Sequence, residues 1–129
     1  MMIIVYVLGG IIALFFLLQL GMRLKMRMQK GKPAPELGGR YGKAVKSGKK
    51  AMFYFYSESC SACKPMTPII EQFVKKNHNY FKVNIAKDMQ TARQFGVMGT
   101  PSTVIIENGK IQDFLVGPQP EQKLRTLLN

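Results

Sequence analysis

Cys60 and Cys63 are the only cysteines of the 129-residue chain, and they stand three positions apart in Ser59-Cys60-Ser61-Ala62-Cys63-Lys64. Ahead of them lies Ala51–Tyr56, AMFYFY, an apolar and aromatic run of strand length, the pattern of a strand covered on both faces. Behind them Ile69, Ile70, Phe73 and Val74 recur at helical spacing, with Glu71, Lys75 and Lys76 on the other side. The pair therefore sits where a strand hands over to a helix. Side chains three apart on a helix share a face about one turn apart, close enough to be bridged. At the helix N-terminus, Cys60 would have its thiolate stabilised by unpaired N–H groups and the helix dipole, lowering its pKa and raising its reactivity near neutral pH. Cys63, one turn further in, would be more shielded and suited to attack a mixed disulfide from inside. A bridge closing so short a loop contributes little to stability, so its value would lie in being made and broken.

Other uses of the spacing have to be set beside this one. Two structural cysteines would look the same. Two cysteines are too few for a disulfide scaffold or a four-cysteine zinc site, and the only histidine, His78, lies in the loop-like NHNY, so the ligands stop at three and no metal is expected. Covalent haem attachment needs a histidine directly after the second cysteine, and that position is Lys64. No cofactor is called for.

The elements that must hold the pair follow from pattern and punctuation. A short helical stretch is expected over Tyr41–Ser47, then the strand Ala51–Tyr56, the helix after the cysteines, and a strand over Tyr80–Ile85. A short helix over Asp88–Phe95 is opened by an acidic cap and closed by Gly96. Thr103–Glu107 and Lys110–Val116 flank Asn108-Gly109, a pair suited to the positive φ angles of a tight hairpin. Gln119–Leu128 is a last helix, with Leu124, Leu127 and Leu128 on one side. The order is helix, strand, helix, strand, helix, strand, strand, helix. Pro65 and Pro68 remove the donors to the Ser61 and Lys64 carbonyls, so a bent helix is expected after the cysteines.

Charge is unevenly placed. From Met1 to Met22 no residue is charged, and 22 positions make about 33 Å of helix, enough for a hydrocarbon core of roughly 30 Å. A secretory leader would show a basic start, a shorter apolar run and a small-x-small cleavage site, none of which is present. Residues 1–22 are read as a transmembrane anchor. Residues 23–50 carry ten cations, including Arg23, Lys25, Arg27, Lys30 and Lys32, against one acid, Glu36, for +9, whereas residues 51–129 carry nine against six, for +3; together they make the +12 of the chain. Nucleic-acid binding is the rival reading of such a basic run, but an adjacent span explains it more simply, and no nucleic-acid partner is expected. Cations resist translocation, which places the C-terminal portion in the cytoplasm, the extracytoplasmic face being the alternative. Residues 1–32 would also contact membrane lipid, each cation near an anionic surface adding about 1 kcal/mol. Met22, Met26 and Met28 are read as apolar contacts at the interface rather than soft-metal ligands. Residues 23–40 form a basic juxtamembrane segment and a linker whose QKGKPAPELGGR has no apolar periodicity.

From Tyr41 to Asn129 the sequence resembles the thioredoxin superfamily, and with its basic tether it is similar to membrane-anchored thioredoxin-like proteins. The resemblance rests on the strand followed by Cys60-Ser61-Ala62-Cys63-Lys64, on Pro68 in the next helix, on Gly99-Thr100-Pro101 about forty residues later, on the Asn108-Gly109 hairpin and on Gly117 before the last helix. It implies an α/β domain over 41–129, a central mixed sheet flanked by helices, preceded by one transmembrane helix. It also implies a cis Pro101 packed against the active-site disulfide, and a Thr100 main chain that offers hydrogen bonds to a substrate held as an added strand, with Gly99 beside it. The chain departs from the family in that Ser59 replaces a tryptophan and Ser-Ala replaces Gly-Pro between the cysteines. Tyr54 stands where many thioredoxins bury an acid that helps deprotonate the second cysteine, while Lys82 matches a lysine often beside it. Water or Glu58 then become the candidate proton acceptors for Cys63. The resemblance implies thiol-disulfide exchange with protein thiols and disulfides, Cys60 attacking and Cys63 resolving, with the pair restored by an electron donor that the sequence does not name. Two alternatives stand beside it, a non-catalytic adapter or redox sensor on the membrane, and an extracytoplasmic disulfide or apocytochrome reductase.

Overall fold

The computed structural model of the protein describes residues 1–28 and 30–128, without the side chains of Met26 and Arg27. Gln29 of the expected linker and Asn129 at the end of the expected domain lie outside the described residues, as do those two side chains, counted above among the methionines and the cations.

Helix α1 spans Met2–Arg27 and thus continues past Met22 through the first cations, because lysine, arginine, leucine and methionine are good helix formers. Met2–Lys25 is long and apolar enough to cross a membrane, and the protein itself buries none of it. Beyond it come α2 (Gly39–Lys46), β1 (Ala51–Tyr56), α3 (Thr67–Lys76), β2 (Tyr80–Asn84), α4 (Met89–Gln94), β3 (Ser102–Glu107), β4 (Lys110–Val116) and α5 (Glu121–Leu128). This is the expected order. Apart from α3, which starts well after the cysteines, the ends of these elements differ by one or two residues, within the usual fraying of element boundaries. Asp88 caps α4 through its carboxylate, which accepts the Thr91 N–H at 3.2 Å. Asn108 and Gly109 both have positive φ, 54° and 73°, as the hairpin turn requires. Gly42 is needed where α2 crosses the chain before it, since a Cβ there would collide with the Leu37 carbonyl oxygen.

The sheet runs β2-β1-β3-β4, with β1 parallel to β2 and antiparallel to β3, and β3 antiparallel to β4. Central β1 is buried on both faces. One face gathers Phe53, Phe55, Phe81, Val83, Val104, Ile106, Ile111 and Phe114 with Ala92, Phe95 and Ala44. Phe53 is fully buried there, its ring 5.3, 5.2 and 4.9 Å from those of Tyr41, Phe81 and Phe95. The other face carries Met52, Tyr54, Tyr80 and Ile105 under Met66, Ile70 and Phe73 on the α3 side and Leu124 and Leu128 of α5.

The linker is not irregular throughout. Pro33 forms an antiparallel bridge with Lys110 of β4, and α2 already begins at Gly39. β4 is the edge of the four-stranded sheet, and its outward main-chain groups need partners, which the linker provides.

Candidate active site

β1 ends at Tyr56 and its antiparallel neighbour β3 begins at Ser102, paired with Phe55. The loop after β1, which holds the cysteines, and the loop before β3, which holds Gly99-Thr100-Pro101, therefore leave the same end of the sheet. Cys60 and Cys63 are joined through their sulfurs, with 5.3 Å between their Cα atoms. Cys60 is partly exposed, whereas Cys63 is 2% exposed. The Thr100–Pro101 peptide is cis, and the Pro101 carbonyl accepts the Gly117 N–H at 2.8 Å, which ties this loop to the end of β4. Pro101 is buried, Thr100 partly exposed and Gly99 exposed. Among the described residues no hydrogen bond engages the Thr100 main chain.

The cysteines do not open one bent helix. Ser61–Cys63 is a single 3₁₀ turn with Cys60 as its cap, and α3 starts only at Thr67. The prolines explain the break. Pro65 has no N–H for the Ser61 carbonyl, which instead takes the Lys64 N–H at 3.3 Å in 3₁₀ fashion. Pro68 falls in the first turn of α3, where an N–H has no partner within the helix in any case. So Cys60 does not cap a long continuous α-helix. What faces its sulfur is one directed donor, the Cys63 N–H at 3.2 Å from Sγ, and such a donor favours a thiolate over a thiol.

A feature that the sequence did not single out lies beneath Cys63. Thr67 Oγ1 donates to the Cys63 carbonyl at 2.8 Å, and the Tyr54 hydroxyl lies 2.9 Å from Thr67 Oγ1 and 3.4 Å from the same carbonyl. With the threonine proton directed at the carbonyl, the tyrosine proton goes to the threonine, giving a relay from β1 through α3 to the turn that carries Cys63. The only sign of it in sequence is a threonine four residues after Cys63, the spacing of a hydroxyl bonding back to a carbonyl. Burial raises the Tyr54 pKa, partly offset by its bond to Thr67, so Tyr54 is a neutral donor near pH 7 and not a base.

Lys82 is opposite Tyr54 in the β1–β2 register, but its ammonium pairs with Glu71 of α3 at 2.7 Å and lies 5.1 Å from the centre of the Tyr56 ring. The bond to Glu71 raises the Lys82 pKa, and the same bond lowers that of Glu71. Glu58 is exposed in the loop before Cys60, and Pro68 is exposed on α3. The site thus brings Tyr54 and Thr67 to Cys63, and turns Lys82 toward α3. Among the described residues no three His, Cys, Asp or Glu side chains cluster as metal ligands would.

The thioredoxin family model matches residues 36–129. The chain belongs to the thioredoxin family. It is 26% identical over 91 residues to the thioredoxin of Alicyclobacillus acidocaldarius, covering 68% of this chain and 87% of that one. It is 31% identical over 78 residues to the thioredoxin of Rickettsia conorii, covering 58% and 74%. The X-ray structure of Fasciola hepatica thioredoxin superposes with a TM-score of 0.58 at 26% identity, over 67% of this chain and 86% of the other. A mutant thioredoxin from Halobacterium salinarum has the same fold, with a TM-score of 0.60 at 24% identity over 75% and 88%. With a paired Cys60 and Cys63 on a thioredoxin fold, the protein is a thiol-disulfide oxidoreductase acting on protein disulfides.

Proposed function

We propose that the protein is a membrane-tethered reductase of protein disulfides in which Cys60 attacks and Cys63 resolves. The asymmetry of the pair carries this reading, because Cys60 is the partly exposed cysteine with an N–H aimed at its sulfur, while Cys63 is buried. In the dithiol form the Cys60 thiolate attacks one sulfur of the substrate disulfide, and the other substrate sulfur leaves as a thiolate that takes up a proton. The Cys63 thiolate then attacks Cys60 in the mixed disulfide and releases the second substrate thiol. Two electrons pass to the substrate and the pair ends as the disulfide, to be restored by an electron donor. Thr100 and Pro101 edge the groove, the Thr100 main chain accepting an added substrate strand. Water accepts the proton from Cys63, since Tyr54 is a neutral donor and Glu58 is exposed in its loop.

Exposed apolar α1 is the membrane anchor, and the basic stretch that follows keeps the domain in the cytoplasm, whose reducing poise favours the dithiol. Replacing Cys63→Ser is expected to trap mixed disulfides with partner proteins. No trapped partner, together with no reduction of insulin by the wild type, would overturn the exchange reading. A reporter fused to the C-terminus reads the side of the membrane, and an extracytoplasmic signal would move the same chemistry outside.

A further inference from the structure

Before it reaches α1, the tether runs along the edge of the sheet. Gly31 N–H donates to the Ile111 carbonyl at 2.7 Å, Ile111 N–H to the Lys32 carbonyl at 2.9 Å, and Ala34 N–H to the Gly109 carbonyl at 2.9 Å. With the antiparallel bridge of Pro33 to Lys110, residues 31–34 are held along β4 by main-chain bonds around a single bridge. Gly31 has φ +88°, a conformation that glycine adopts without strain. Because the pairing is antiparallel, going back along the tether from Pro33 means going forward along β4, and Lys30 reaches Asp113 at 3.6 Å. The membrane end of the tether therefore lies toward Val116 and Gly117, the end of β4 bonded to Pro101. α1 itself approaches β4.

We infer that this docked tether holds the redox pair close to the bilayer, and that its substrates are disulfides in the juxtamembrane segments of other membrane proteins. The inference rests on the membrane-tethered exchange reading above and names the substrate class of that site. From Met22 to Arg27 the helix adds about 8 Å, and the step to Lys30 at most about 11 Å. Asp113 to Gly117 adds about 14 Å of strand. With about 5 Å for each of the two steps between neighbouring strands, from the tether to β4 and from Gly117 to Pro101, the cis-proline loop stands at most roughly 40–45 Å by this path from the edge of the apolar span. A free tether over residues 23–40 would extend to about 60 Å before the domain began. The docked segment removes that reach and turns the redox end of the sheet toward the anchor.

The test uses the pre-reduced full-length chain in phosphatidylcholine vesicles, in single turnover, with single-span peptides that carry a disulfide-linked fluorophore on polyproline spacers. The spacers set the disulfide about 10 Å or about 60 Å above the surface at roughly 3.1 Å per residue. The wild type is expected to release the near fluorophore at least about tenfold faster than the far one. Inserting twenty-four Gly/Ser residues after Met28, which leaves the β4 pairing in place, adds about 27 Å of mean reach and is expected to bring the two rates within about twofold. Amide exchange in the wild type is expected to show protected Gly31, Ala34 and Ile111. Equal release at both heights by the wild type, an unchanged profile after insertion, or unprotected Gly31 and Ala34 would each overturn the inference. Both chains are expected to reduce added insulin equally. Failure of the wild type to do so would instead overturn the exchange reading on which the inference rests.

Discussion

The two faces of the sheet are built to different rules. On the face toward α2 and α4, β1 contributes Phe53 and Phe55, and their neighbours Phe81, Phe95 and Val104 bring no side-chain polar atom into the buried cluster. On the face toward α3 and α5, Tyr54 brings a hydroxyl under Cys63, while its cross-strand partners Lys82 and Thr103 bring an ammonium and a second hydroxyl. The first face can be filled by shape alone. The second must also satisfy its polar atoms, and it is the one on which the redox turn rests. Apolar packing alone lies on one side of a single strand, and packing joined to a polar contact under Cys63 on the other.

Phe53→Ala tests that separation most severely. Truncating a fully buried phenylalanine in contact with three other rings should cost about 3–5 kcal/mol, read as a lower denaturant midpoint, with insulin reduction per folded molecule unchanged. Tyr54→Phe keeps the ring and removes only the relay donor. It should cost about 1 kcal/mol and slow resolution of mixed disulfides by roughly five- to tenfold, since one hydrogen bond fewer holds the turn that carries Cys63. If Phe53→Ala slowed exchange per folded molecule as much as Tyr54→Phe, the division of labour between the faces would be wrong.

Thr103→Val probes the polar face through its unpaired hydroxyl. Thr103 Oγ1 is buried with no hydrogen-bond partner among the described residues. An isosteric valine lifts that desolvation cost and should stabilise the domain by about 1 kcal/mol without changing the exchange rate. Slower exchange with no gain in stability would show that this hydroxyl, too, belongs to the reaction.

How far the sequence discloses this arrangement depends on the kind of interaction. Local patterns are legible. The AMFYFY run marks a strand buried on both sides, Asp88 marks a helix start, Asn108-Gly109 marks the hairpin, and Cys60 with Cys63 after a strand marks the chemistry. The broken helix is half legible, because Pro65 and Pro68 announce an interruption without saying whether the chain bends or divides into a 3₁₀ turn and a later helix. Tertiary pairings are not legible. Thr67 acquires its role only because β1 sets Tyr54 beneath it, and Lys82 turns to Glu71 only because α3 crosses β2 at that level. The tether is bonded to β4 through main-chain groups, so QKGKPAPELGGR carries no side-chain pattern from which its pairing could be read.

The smallest effect expected is at the rim of the polar face. Glu71 and Lys82 are each partly exposed, so water screens their attraction, and Glu71→Gln should change stability at neutral pH less than either Tyr54→Phe or Thr103→Val. Its signature lies in the pH dependence. The bond to Lys82 holds the Glu71 carboxyl below its ordinary value, so the folded state keeps it ionised where the unfolded chain begins to take up a proton. That contribution is present above about pH 4.3 and is lost as the pH falls through the folded-state value. Lys82 is raised instead, so its contribution is present below about pH 10.4 and is lost as the pH rises through its folded-state value. The difference in denaturant midpoint between wild type and Glu71→Gln should therefore be flat between about pH 5 and 10 and close at both ends. A difference that persisted into acid would mean that Glu71 acts through packing, and the polar face would then extend no further than Tyr54, Thr67 and Thr103.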